Sequence, residues 1–163
     1  MEPMKKTISE NPLLDIRSLS VQFETVEGVV RAVEDVSLQM APGEVLGLVG
    51  ESGCGKSVTG LTLLRLIPTP PGRVVRGEIL FDGKRILDLS EKEMQRVRGN
   101  EISMVFQEPM TSLNPVFTIG DQIMEAILFH QRLDKTAARK RAVEMLDRVR
   151  IPVISPFFKA KRA

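Results

Sequence analysis

Val45-Leu46-Gly47-Leu48-Val49-Gly50-Glu51-Ser52-Gly53-Cys54-Gly55-Lys56-Ser57 is the stretch on which the reading of the chain turns. Its first five residues are apolar without interruption, the pattern of a strand buried on both faces of a parallel sheet. Residues 50–57 then fit G-x-x-x-x-G-K-[ST] at every fixed position. A polyphosphate is a dense array of anionic oxygens, so a backbone that wraps it must aim successive N–H groups inward. That needs residues without Cβ where the chain takes a positive φ or approaches the ligand closely, and Gly50, Gly53 and Gly55 meet the need. Glu51, Ser52 and Cys54 supply the intervening peptide groups. A helix starting at the end of the turn adds unpaired N–H groups and the positive end of its dipole. Lys56 is a mobile positive charge within reach of the phosphates, the Ser57 hydroxyl is a ligand for Mg²⁺, and Val58 continues the first helical turn. Cys54, inside this loop, reads either as a neutral variable position or as a thiol whose pKa the neighbouring positive groups lower.

Outward from this turn, the N-terminal side alternates. Leu13–Ile16, Leu19–Phe23, Val29–Val33 and Val36–Met40 are short period-two runs with Gly28 marking a hairpin, and they predict an antiparallel layer with one wet face. On the C-terminal side, a helix is expected from Ser57 to about Ile67, closed by Pro68-Thr69-Pro70-Pro71-Gly72. Gly77–Phe81 reads as a strand ending in the Asp82-Gly83 turn, and Ser90 with Glu93 forms a capping box for a short helix that Gly99 stops. Ile102–Phe106 is a second candidate for a buried strand. Two helices follow, over about 119–131 and 135–150, the first with Ile119, Ile123 and Ile127 in i, i+4 register. The order of elements predicts an α/β class with a helical annex.

Composition narrows the function. The 163 residues carry a formal net charge of +2 and one cysteine, which excludes an internal disulfide framework and fits a reducing compartment. Neither a signal peptide nor a membrane-spanning run is present in the sequence. Residues 132–163 hold 10 Lys/Arg against 3 Asp/Glu, a bias read as a solvated helix face and a charged terminus. No Trp or Tyr and no basic stretch interleaved with aromatics is present, so nucleic acid is not expected as a partner.

A P-loop alone does not separate ATPases, GTPases and small kinases. The loop GESGCGKSVTGL, the stretch Arg98–Ser103 and above all the run Val105-Phe106-Gln107-Glu108-Pro109-Met110-Thr111-Ser112-Leu113-Asn114-Pro115 resemble ABC-transporter ATP-binding subunits of the oligopeptide/dipeptide branch, from about Leu13 to Pro152. The resemblance implies a P-loop NTPase fold of ABC ATPase type, incomplete here, with an N-terminal antiparallel β layer and a partial helical subdomain. It implies ATP and Mg²⁺ as ligands. Gln107 becomes the Q-loop glutamine at the Mg²⁺ and attacking-water region, sensing the γ-phosphate through a neutral amide that donates and accepts. Phe23 falls where the family places an aromatic under adenine, although an alternating strand accounts for it equally as core; Val33 flanks the base in the same way. The residues from Glu108 to about Asp121 become the surface for transmembrane permease subunits. A second ATP-binding subunit, and indirectly an extracytoplasmic solute-binding protein, complete the implied partners, with a peripheral place on the cytoplasmic face of the membrane.

The expected segmentation is a disordered lead over 1–12, the nucleotide-binding core over 13–106, the Q-loop and partial helical subdomain over 107–152, and a divergent tail over 153–163. No LSGGQ and no apolar strand ending in Asp-Glu follows Gln107, and His130 stands in a helical context rather than in that of the family's switch histidine. The chain is therefore expected to be truncated before those motifs, to hydrolyse ATP negligibly alone, and to leave the 45–49 strand poorly flanked. A nonhydrolytic nucleotide-binding or decoy module is the alternative. A small P-loop kinase, with Arg139-Lys140-Arg141 in an arginine-rich lid, is a third reading that the Gln107 run opposes.

Overall fold

The computed structural model describes residues 11–107 and 113–151, so the lead over 1–10, Glu108–Ser112 and the tail over 152–163 lie outside the described residues. The chain divides into two compact units, residues 1–95 and 96–163. In the first, β1 (Leu14–Thr25), β2 (Gly28–Met40), β3 (Gly72–Phe81) and β4 (Lys84–Arg85) form one antiparallel sheet in the order β2-β1-β3-β4. The two pairs of short runs expected before Pro42 are therefore two long strands. Helix α1 (Lys56–Leu63) contacts β2, a 3₁₀ turn covers Ile86–Asp88, and α2 runs over Glu91–Val97.

A kink shared by three neighbouring strands makes the long runs possible. Ser18 of β1 (φ 46°), Asp35 of β2 (φ 49°) and Gly77 of β3 (φ 105°) all adopt positive φ, and the register slips around Arg17–Ser20. In a regular strand with Ile16 inward, Ser18 would follow inward and Leu19 outward. The extra residue of a bulge resets the alternation, so Ile16, Leu19 and Val21 are all buried. The displaced amides are satisfied by side chains: Ser18 N–H donates to Ser37 Oγ at 2.8 Å and Asp35 N–H to Ser20 Oγ at 3.1 Å.

Ile16, Leu19 and Val21 share the buried core of this unit with Val33, Ile79, Ile86 and Met94. Helix α1 buries Thr59 and Thr62, whose hydroxyls donate back to Gly55 O (3.0 Å) and Val58 O (2.6 Å) and so carry no unmet polar group inward. Buried Asp15 accepts from Arg17 Nε at 2.8 Å, and this bond and charge hold the Arg17 guanidinium above its usual pKa. The Asp82-Gly83 turn has positive φ at both residues (46° and 73°), as a two-residue hairpin turn requires. The capping box is present: Ser90 N–H donates to Glu93 Oε2 at 2.7 Å and Glu93 N–H to Ser90 Oγ at 3.4 Å.

The second unit holds α3 (Ile119–Gln131) and α4 (Lys135–Arg148), capped by Thr118, which accepts from Asp121 N–H, and by Asp134, which accepts from Ala137 N–H. Ile127, Ala138 and Ala142 form its buried centre with Ile123, Met124 and Leu128 packed around them. His130 is half-buried, edge-on to Phe129, with Nε2 beside Gly99.

Two expectations fail. Residues 45–49 and 103–106 are not strands: Val45 and Val49 are 95% and 90% exposed, and Val105 is 92% exposed. A parallel strand exists only through hydrogen bonds to neighbours, and among the described residues no strand runs beside either segment. An apolar run specifies burial but not the partner that provides it. Helix α1 is also shorter than expected, ending at Leu63 because Arg65 turns to φ 52°.

The shared kink yields a sharp expectation. A Cβ on Gly77 would lie 2.6 Å from Leu19 Cα and 2.7 Å from the Arg17 and Ser18 carbonyl oxygens, all backbone, whereas a Cβ on Gly83 would meet nothing within 4 Å. Gly77→Ala should cost about 3 kcal/mol and Gly83→Ala about 1 kcal/mol. Thermal unfolding of the two variants checks this; equal midpoints would contradict the kink as a rigid element.

Candidate functional site

The turn at residues 50–57 follows the 45–49 segment and runs into the start of α1. Its geometry follows from its glycines. Gly53 and Gly55 adopt φ of 83° and 93°. Gly55 is the N-cap of α1 and lies against β2: a Cβ there would collide with the Ala32 carbonyl oxygen and press Val33 Cγ2 at 3.3 Å. A Cβ on Gly50 would meet Cys54 Sγ at 2.6 Å, so the loop closes on itself at that point. Sequence reasoning found the glycines but missed Ala32, a backbone neighbour that only the register of β2 reveals.

Lys56 spans the loop. Its ammonium donates to Gly50 O at 2.8 Å and Glu51 O at 2.5 Å, and lies 3.2 Å from Cys54 Sγ. The hydrogen bond from Lys56, more than its charge, lowers the pKa of the exposed Cys54 thiol. No side chain caps the start of α1 and no acidic residue stands in its first turn, which leaves the N-terminal N–H groups and dipole uncompensated by the protein. Gly50 to Cys54 and Ser57 are exposed, while Lys56 and Val58 are half-buried. The arrangement is a glycine-rich turn open to solvent, with the Lys56 ammonium held across it and one hydroxyl at its helix end. It fits a polyanion, and a single hydroxyl suits Mg²⁺, a hard ion that keeps waters and takes phosphate oxygens as its other ligands.

The remaining site residues are placed separately. Phe23 pairs with Val30 and Gly72, half-buried, and its ring edge fills the space that a side chain at Gly72 would take. Buried Val33 is the residue of β2 that adjoins Gly55. Gln107 belongs to the second unit, exposed at the end of an extended segment. Of the surface expected over Glu108–Asp121, Leu113 onward is described. There Gln122, which sequence reasoning missed, clamps the loop: its amide accepts from Asn114 N–H and donates to Asn114 O, both at 2.9 Å, and to Phe117 O at 3.2 Å. The clamp leaves Val116 and Phe117 66% and 54% exposed.

The family profile described as ABC transporter matches residues 33–160. The oligopeptide transport ATP-binding protein OppD of Bacillus subtilis is 53% identical over 141 residues, covering 86% of this chain and 39% of that protein. The dipeptide transport ATP-binding protein DppD of the same organism is 49% identical over 140 residues, covering 86% of this chain and 42% of its own length. The chain thus spans about two fifths of the length of these curated relatives. Among solved structures, the ATP-binding cassette MJ0796 bound to ADP and Pi superposes with a TM-score of 0.73 at 23% identity, over 91% of this chain and 61% of that one. A second, dimeric structure of MJ0796 gives 0.70 at 26% identity, over 82% and 56%. The fold is the α/β P-loop NTPase fold of ABC ATPases, represented in part by an antiparallel sheet and helices. With its family profile covering most of its length, the chain belongs to the ABC transporter family.

Proposed function

We propose that residues 50–57 bind ATP with Mg²⁺ and that the chain is the ATP-binding part of the energy-coupling subunit of an importer for peptides or a related solute. The observation that carries the reading is the turn itself, with Lys56 held across it and the helix start uncapped. In this reading Gly50 to Gly55 present backbone N–H groups to the phosphates, Lys56 neutralises charge on the outer phosphates, and Ser57 with Gln107 holds Mg²⁺. When bound, Mg²⁺ supplies charge neutralisation on the phosphate oxygens. Gln107 senses the γ-phosphate, Phe23 contacts the base, and Val33 flanks the base. The names of the relatives support a peptide class of solute.

The permease surface is proposed over Glu108–Asp121. The exposed pair Val116 and Phe117, on a loop made rigid by Gln122, supports it as an apolar contact on a fixed backbone. A second ATP-binding subunit and, through the permease, an extracytoplasmic solute-binding protein complete the assembly. Among the described residues no helix is long and apolar enough to cross a membrane, and attachment to the cytoplasmic face would run through the permease.

Titration calorimetry should show saturable, Mg²⁺-dependent ATP binding that weakens about tenfold or more in Lys56→Ala, a loss of about 1.4 kcal/mol. No binding by the parent chain, or an unchanged variant, would refute the site.

Cys54 gives an independent readout. Because its pKa is lowered, the thiolate persists to lower pH than for an ordinary thiol, and alkylation should rise with pH through a midpoint below the usual one. Lys56→Ala should move that midpoint up. Saturating Mg-ATP should slow the labelling; an unchanged rate would place the nucleotide elsewhere.

A further inference from the structure

A cavity in the first unit, about 710 Å³, is lined by none of residues 50–57. It lies at the other end of α1, which at 1.5 Å per residue is about 12 Å long. Its wall carries Arg65, Arg73 and Arg76 and neither Asp nor Glu, although residues 1–95 as a whole hold 11 Lys/Arg against 14 Asp/Glu. Three guanidinium groups around one concavity in a mildly acidic unit is not the distribution of a neutral solvated surface.

The placement has a backbone cause. Arg73 and Arg76 are three residues apart, which in a regular strand sends them to opposite faces. In β3 the register runs Val21↔Val74 and then Ser20↔Arg76, so Val75 is an extra residue and both arginines come to the same side. Arg65 is fixed: its guanidinium donates to the Leu89 carbonyl and lies 4.0 Å from Glu91. Arg73 shares an exposed pair with Glu24 at 3.5 Å, which is worth little in water. Arg76 makes no ion pair among the described residues. Ile67, Val75 and Leu87 add apolar side chains to the lining of the groove.

We propose that this groove is a binding site for an organic oxyanion, its charged end held by Arg73 and Arg76 and its apolar body lying along Ile67, Val75 and Leu87. Guanidinium groups match the planar, two-oxygen face of a carboxylate and the oxygens of a phosphate alike. The site is separate from the nucleotide turn, and its failure would leave that reading untouched.

The test is an amide NMR titration of the full chain with hexanoate, with hexanamide as its uncharged counterpart, and with inorganic phosphate. Hexanoate should give saturable shifts at residues 73–77 with a Kd of about 1–10 mM, hexanamide none, and Arg76→Gln should weaken hexanoate about fivefold or more while Mg-ATP affinity stays unchanged. Arg73→Gln serves as a second variant should Arg76→Gln unfold the chain. Phosphate shifting the same amides would assign the site to phosphate esters as well, and their lack would restrict it to carboxylates. Phosphate shifts confined to residues 53–58 belong to the nucleotide turn. If neither anion shifts residues 73–77 saturably, or if both variants bind hexanoate like the parent, the proposal is overturned.

Discussion

The Lys56 ammonium, bound to the carbonyl oxygens of Gly50 and Glu51, ties the entrance of the phosphate-binding turn to its exit. Everything proposed for the site depends on this closure. It engages the carbonyls of Gly50 and Glu51 and sets a positive charge across the turn. The closure in turn needs Gly55 to rest on the Ala32 carbonyl, where any side chain would push the turn off β2. A loop rich in glycine would otherwise sample many shapes; here the sheet beneath it and the lysine across it select one.

The same sheet explains why β2 is in position to support the loop. The kink at Ser18, Asp35 and Gly77 keeps β1, β2 and β3 paired over long runs while holding Leu19, Val21 and Val33 in the core. A second irregularity in β3, at Val75, turns Arg73 and Arg76 to one side and shapes the arginine-lined groove. Departures from regular pairing therefore bear on both the turn and the groove, one by supporting a loop and one by aiming side chains.

Where structure depends on neighbours in sequence, the chain was legible. The Asp82-Gly83 turn, the Ser90–Glu93 capping box and both limits of α3 follow from local hydrogen bonding and φ preferences, and each is present. The phosphate-binding turn belongs to the same class, since its residue types state its backbone requirements directly. Features that depend on distant partners were not legible. Ser18 and Asp35 carry no mark of a bulge, because the slip is defined only against the opposite strand. Residues 45–49 read as a buried strand because Val and Leu fill them, yet a parallel strand requires flanking strands that the described residues do not provide. The Gln122 clamp on Asn114 was hidden for a similar reason: a glutamine on an amphipathic helix has no sequence signal for the loop it will bind.

The central claim is that the backbone of the turn, more than any one side chain, holds the phosphates. Through-hydrogen-bond coupling between protein amide nitrogens and the phosphorus atoms of Mg-ADP, measured on the ¹⁵N-labelled chain, tests it most directly. Couplings at amides within Gly53–Ser57 are the predicted result. Saturating nucleotide that produces no coupling in that stretch, with shifts located elsewhere in the chain, would contradict it.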